Sequence, residues 1–95
     1  MNKGSDYLAS KKFANSGIPV LCQAKSIRSL GGGQVDYCYL DNENLFVVEA
    51  KMGNHVTKNQ ISRLKISARI LSDSLEVSCA KTLFYSVKDD DVYSF

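Results

Sequence analysis

The chain has 95 residues, 44% of them hydrophobic and 23% charged, with a formal net charge of +2. This is the composition of one ordinary globular domain over residues 1–95, with a core modest enough that pairing into a homodimer would help it. No apolar run is long enough to cross a membrane and no signal-peptide pattern is present, so a cytoplasmic setting is the expectation. The three cysteines, Cys22, Cys38 and Cys79, lie far apart, with no C-x-x-C pair and a single histidine. That argues against a zinc site and predicts reduced, mostly buried thiols.

In chain order, residues 5–15 are predicted to form a helix. Leu8, Ala9, Lys12 and Phe13 fall on one stripe at helical spacing, Ser5 is the expected N-cap and Gly17 the stop. Its one acid, Asp6, suits a first turn through the helix dipole. A strand is expected over 18–24, with Pro19 near its start, where the missing N–H does least harm. Residues 25–33 are polar and glycine-rich. They are either a mobile loop, in which Lys25 and Arg28 reach phosphates and the glycines let backbone approach a substrate, or a flexible connection. No G-x-x-x-x-G-K pattern follows, which excludes a nucleotide-binding P-loop.

The glycine triplet Gly31 to Gly33 leads into QVDYCYLD, a polar turn and NLFVVEAK. This pattern predicts a β-hairpin closed over residues 41–44, with Leu40 opposite Leu45 and therefore Asp36 opposite Glu49. Alternation puts Leu45, Val47, Glu49 and Lys51 on one face and Phe46, Val48 and Ala50 on the other. The second strand is apolar on both faces apart from Glu49, which predicts a central, largely covered strand. A short loop over 52–56 carries His55, which either meets a phosphate or acts as a general base, or is incidental.

Thr57 then opens a helix to about residue 72, with Ile61, Leu64, Ala68 and Leu71 as its buried stripe. Thr57 and Gln60 have the spacing of a capping box. Lys58, Lys65 and Arg69 share another side of this helix, either as a track for a nucleic-acid backbone or as a solvated face. Residues 75–79 extend the sheet or merely connect. Residues 81–87 are a strand, and the tail, with Asp89, Asp90 and Asp91, is a short edge strand or a solvated end.

The hairpin carries the chemistry. Directly paired residues in an antiparallel ladder have Cβ atoms roughly 4.5–5.5 Å apart, so Asp36 and Glu49 would repel unless a positive charge lies between them. Without such a partner, a carboxylate on a covered strand is costly. A hard divalent cation, Mg²⁺ or Mn²⁺, is the simplest such partner. Lys51, two residues past Glu49 on the same face, points toward the same spot. Two acids, a lysine and a metal suit phosphate chemistry: the ion activates water and stabilises phosphoryl oxygens while the lysine positions or helps deprotonate the nucleophile.

Asp36, twelve intervening residues and Glu49-Ala50-Lys51 resemble the D…(D/E)xK signature of the PD-(D/E)XK nuclease superfamily. The glycine-rich approach and Gln60 are most similar to its Holliday-junction-resolvase-like and virus-type replication-repair groups. The resemblance covers roughly residues 18–87. It implies a restriction-endonuclease-like α/β sandwich with a mixed central sheet, in the order α-β-β-β-α-β. It also implies a metal held by Asp36, Glu49 and the Ala50 carbonyl, with Gln60 beside the active site. Members often carry an acid on the first helix; here only Asp6 could stand in for it.

The expected activity is that of a metal-dependent endonuclease on DNA phosphodiesters, with Asp36, Glu49, Lys51 and Gln60 catalytic. Two other readings stay open. One is a nucleic-acid-binding module without turnover on the same scaffold, and the other is a toxin-like domain that cuts RNA.

Overall fold

The computed structural model describes residues 4–21 and 30–95. Its centre is the predicted hairpin. Strand β2 (Tyr37–Asp41) and strand β3 (Asn44–Lys51) pair antiparallel, Leu40 opposite Leu45, around a two-residue turn at Asn42 and Glu43. Asn42 takes a positive φ of 57°, a conformation that asparagine tolerates better than most residues.

Among the described residues the sheet has five strands in the spatial order β1-β2-β3-β4-β5. Strand β1 (Ile18–Pro19) pairs antiparallel with β2, while β4 (Cys79–Ser86) runs parallel to β3 and β5 (Asp91–Ser94) returns antiparallel on β4. The parallel step requires a crossover, which helix α2 (Lys58–Ser74) supplies. Helix α1 (Ser5–Lys12) packs on the opposite face. The molecule is thus a small α/β domain with a mixed open sheet and a helix on each face. None of its described helices is long and apolar enough to cross a membrane.

Strand alternation divides the core in two. Cys38, Leu45, Val47 and Phe84 face Leu64, Ala68 and Leu71 of α2, with Ile61 at the margin. On the other side Tyr39, Val48, Ala50, Leu83 and Tyr85 meet Ala9 and Phe13. The Phe13 ring stacks on Tyr39 at 5.7 Å and meets Tyr85 edge-on at 6.1 Å, offset and T-shaped arrangements that aromatic quadrupoles favour.

Several boundaries differ from expectation. Helix α1 stops at Lys12, with Phe13 as its C-cap, packed against Tyr39 and Tyr85. Its N-cap is Gly4, which makes no side-chain cap bond, and not Ser5, whose hydroxyl is engaged elsewhere. Gly17 is no helix stop: a Cβ there would collide with the backbone carbonyl of Leu40, so it permits the approach of β1 to β2. Strand β1 is two residues long, extended by the Val20 amide donating to the Cys38 carbonyl; residues 22–24 of the expected strand lie outside the described residues. Strand β4 begins at Cys79, which is exposed rather than buried, while Cys38 is buried as expected and Cys22 is not described.

The tail forms a short edge strand, one of its two expected readings, and adds a fifth strand to the order that the resemblance implies. Asp90, at φ 52°, accepts from Lys12 Nζ and from the Tyr85 hydroxyl, both at 2.9 Å, and so ties the β4–β5 turn to α1.

Deleting the Leu64 side chain, 1% exposed at the centre of the α2 stripe, is expected to cost about 2–5 kcal/mol. Leu64→Ala should therefore lower the melting temperature far more than Ile66→Ala, whose side chain is 41% exposed. Gly17→Ala should cost about 1–3 kcal/mol through overpacking against Leu40. Thermal melts of the three variants check this ranking.

Candidate functional site

The row Leu45, Val47, Glu49, Lys51 explains where the site lies. Its first two members are fully buried beneath α2 and its last two are half-buried. Glu49 is thus where the apolar row leaves the core, at the carboxyl end of the central strand.

Asp36 meets it from the start of β2. The ladder proper ends at Tyr37 opposite Val48, one pair short of Asp36 and Glu49. There the Asp36 amide donates to the Val48 carbonyl at 2.9 Å, and the Ala50 amide turns to the Asp36 side chain, donating to Oδ2 at 2.8 Å. Ser5 Oγ donates to Oδ1 at 2.9 Å and Gln34 Nε2 to the same oxygen at 2.7 Å. A carboxylate offers about four lone-pair sites, so one remains free of these three bonds. Asp36 is 9% exposed as a residue, and its carboxylate is held by three donors.

Burial pushes the Glu49 carboxyl above its usual range, the nearby Asp36 charge pushes it the same way, and Lys51 opposes both. The three residues expected to act together therefore share one electrostatic environment. Two neighbouring acids on the edge of a core, only partly offset by one lysine, favour an added cation.

A cleft of about 230 Å³ opens beside Glu49, lined by Gly33, Gln34, Gln60, Arg63 and Leu64 as well. Gln60 forms its expected capping box and also lines this cleft. The Thr57 amide donates to its Oε1 at 2.9 Å while its own amide donates to Thr57 Oγ1 at 3.1 Å. Gly33 is a packing residue: its amide donates to the Arg63 carbonyl at 3.1 Å, and a Cβ on it would lie 2.8 Å from Arg63 Cβ. Ser67 Oγ donates to the Gly33 carbonyl at 2.9 Å and secures the same contact.

Other expected residues are not gathered here. Lys58 is exposed, and Lys65 and Arg69 line a different groove with Ala80, Thr82 and Phe95. At about 100° per residue, Gln60, Arg63 and Ser67 fall on one flank of the buried stripe of α2 and Lys58, Lys65 and Arg69 on the other. The basic track is thus turned away from the acids. Asp6 is exposed and accepts from the Tyr7 amide at 2.9 Å, so it serves the first helical turn. His55 is exposed on the β3–α2 connection, and Lys25 and Arg28 lie outside the described residues.

Three residues of the site were not singled out by sequence. Arg63 and Gln34 carried a signal: Arg63 is one helical turn past Gln60, and Gln34 shares strand parity with Asp36. Ser5 carried none, since its contact with Asp36 spans 31 positions.

Among the described residues no group of three or more His, Cys, Asp or Glu side chains forms a metal-binding set. The donors at hand are two carboxylates and backbone oxygen. An antiparallel pair exchanges N–H and C=O across the same edge, so the Ala50 carbonyl faces the edge on which Asp36 takes its amide. An all-oxygen set with few protein ligands suits Mg²⁺ or Mn²⁺, which keep several waters.

No protein-family model, curated protein or solved structure matches the chain.

A raised folded-state pKa means that the stabilising contribution of Glu49 is complete below its ordinary value of 4.5 and is lost as pH rises through the folded-state value. Glu49→Gln cannot ionise. It is expected to melt a few degrees above the wild type near neutral pH in EDTA, given roughly 4–8 °C per kcal/mol at this size. The gap should close as pH approaches about 4. Melting curves across pH decide it: a gap independent of pH, or a variant that melts lower at neutral pH, would show that ionised Glu49 carries no penalty.

Proposed function

We propose that the chain is a metal-dependent endonuclease that hydrolyses DNA phosphodiester bonds on a restriction-endonuclease-like, PD-(D/E)XK-type scaffold. The observation that carries this reading is the convergence of Asp36, Glu49 and Lys51 at the solvent-facing end of an otherwise buried central strand. A structural role accounts for Asp36, whose carboxylate three donors hold, but not for Glu49, whose charge is opposed by burial and by Asp36.

Asp36 and Glu49, with the Ala50 carbonyl, would hold Mg²⁺ or Mn²⁺. Bound there, the ion supplies Lewis-acid stabilisation to phosphoryl oxygens and makes water a better nucleophile. Ser5 and Gln34 hold the Asp36 carboxylate in one orientation, so little reorganisation is needed when charge develops. Lys51 orients the attacking water and places positive charge beside the phosphate. Gln60 keeps its Oε1 on the Thr57 amide, which leaves its NH₂ as the group offered to the cleft. Water adds to phosphorus as the bond to the leaving oxygen breaks, giving a phosphate monoester end and a hydroxyl end. The small core favours a homodimer as the working form.

Cleavage of duplex, branched and single-stranded DNA should depend on Mg²⁺ or Mn²⁺ and stop in EDTA. Lys51→Ala and Glu49→Gln are each expected to lower the rate by about 10²-fold or more, with circular dichroism unchanged. Normal cutting by both variants would refute the proposal. Cutting confined to RNA would replace it with the toxin-like reading, and metal-independent binding with no cutting would leave a binding module.

A further inference from the structure

The walls of the Glu49 cleft differ in chemistry. The sheet side carries Glu49, whose neighbour Asp36 does not itself line the cleft; the α2 side carries Arg63 and Gln60. Arg63 is exposed, and the only ion pair among the described residues joins Lys12 to Asp90. It also leaves Glu49 alone, whose charged neighbours are Asp36 and Lys51. An arginine lining the same cleft as a carboxylate, yet not engaged with it, keeps its donors for something else.

Its base is fixed. The Arg63 carbonyl accepts from the Gly33 amide at 3.1 Å, and Gly33 packs on its Cβ. Gln60, one turn earlier, has its carbonyl oxygen committed to the capping box, so only its two amide hydrogens remain for the cleft. The α2 wall therefore presents a guanidinium and an NH₂, both donors. Opposite a cation-holding acid pair, that is the complement of a phosphate, one side meeting the metal and the other taking an oxygen through charge-assisted hydrogen bonds. None of the six lining residues is aromatic, Gln34 is committed to Asp36, and a cleft of about 230 Å³ gives no platform for a base.

We propose that Arg63, assisted by the Gln60 NH₂, binds a phosphodiester group of the nucleic-acid strand in the Glu49 cleft, so that the substrate is read there through its backbone and not through its bases. The inference rests on the nuclease reading for the identity of the strand, but it concerns binding, which is measurable without turnover.

Fluorescence anisotropy in EDTA, with labelled single-stranded and duplex DNA of two unrelated sequences, tests it. Arg63→Ala should bind roughly tenfold more weakly, with the slope of log affinity against log salt reduced by about one. The loss should be equal for both sequences. Arg63→Lys should recover the slope but not the whole affinity, because it keeps the charge and loses the fork. Lys81→Ala, which removes one charge at the far end of the sheet, serves as the control for net charge. In Mg²⁺, KM of Arg63→Ala should rise more than kcat falls.

Wild-type affinity and slope in Arg63→Ala, or a loss no greater than that of Lys81→Ala, would overturn the inference even if the wild type cuts. Weakened binding of Arg63→Ala by a protein that never cuts would uphold it while removing the nuclease. A loss confined to one sequence would overturn backbone reading, and a wild type that neither binds nor cuts would remove both.

Discussion

The site depends on one hydrogen bond, from the Ala50 amide to the Asp36 carboxylate. It forms where the β2–β3 ladder would otherwise make one more pair. By accepting this amide, the side chain of Asp36 replaces a backbone partner and ends the ladder. A carboxylate accepting a backbone N–H makes a stronger bond than a neutral acceptor, and burying it requires that its other lone pairs be met. Ser5 and Gln34 meet two of them, which draws the start of α1 and the segment before β2 to the same point. Three parts of the chain distant in sequence are thus fixed by one side chain.

A second constraint positions the opposite wall. Gly33 touches α2 closely enough that no other residue would fit without displacement, and Ser67 bonds its carbonyl. The glycine-rich segment is therefore seated at Arg63 and its geometry passes directly to Gln34 and Asp36. Helix and hairpin are held in mutual register by this short bridge, so the acid wall and the donor wall keep a fixed separation.

Much of this was legible because it is local. The hairpin, its register, the central position of β3, the α2 stripe and the Thr57–Gln60 box follow from alternation, helical spacing and capping chemistry. The cluster of Asp36, Glu49 and Lys51 follows from the register. What could not be read is long-range or competitive. Ser5 looked like an N-cap because caps and side-chain hydrogen bonds use the same hydroxyl, and only the fold reveals which partner wins. Gly17 resembled a helix stop, yet its role is set by the Leu40 backbone. The aspartates of the tail are exposed, as one of the two readings expected, but the surface ion pair that Asp90 makes with Lys12 spans 78 positions and carried no local signal. Lys65 and Arg69 form a track on the helix wheel as expected, and only the packing of α2 shows that it flanks another groove.

The position of the cleft follows from the topology itself. Strands β3 and β4 are parallel, so the chain must leave the carboxyl end of β3, rise over the sheet and return along α2. In open α/β sheets such carboxyl ends form crevices, because the departing chain uncovers them. The antiparallel β2 brings its own amino end to that place, and so an acid from each strand arrives at one uncovered edge. Apolar residues there would extend the core beneath α2, as Leu45 and Val47 do four and two positions earlier. Glu49 forgoes that burial and accepts a carboxyl whose ionisation is opposed by its surroundings. A 95-residue domain has few kilocalories to spare, and an unfavourable charge at the end of its central strand is a cost that packing alone does not require.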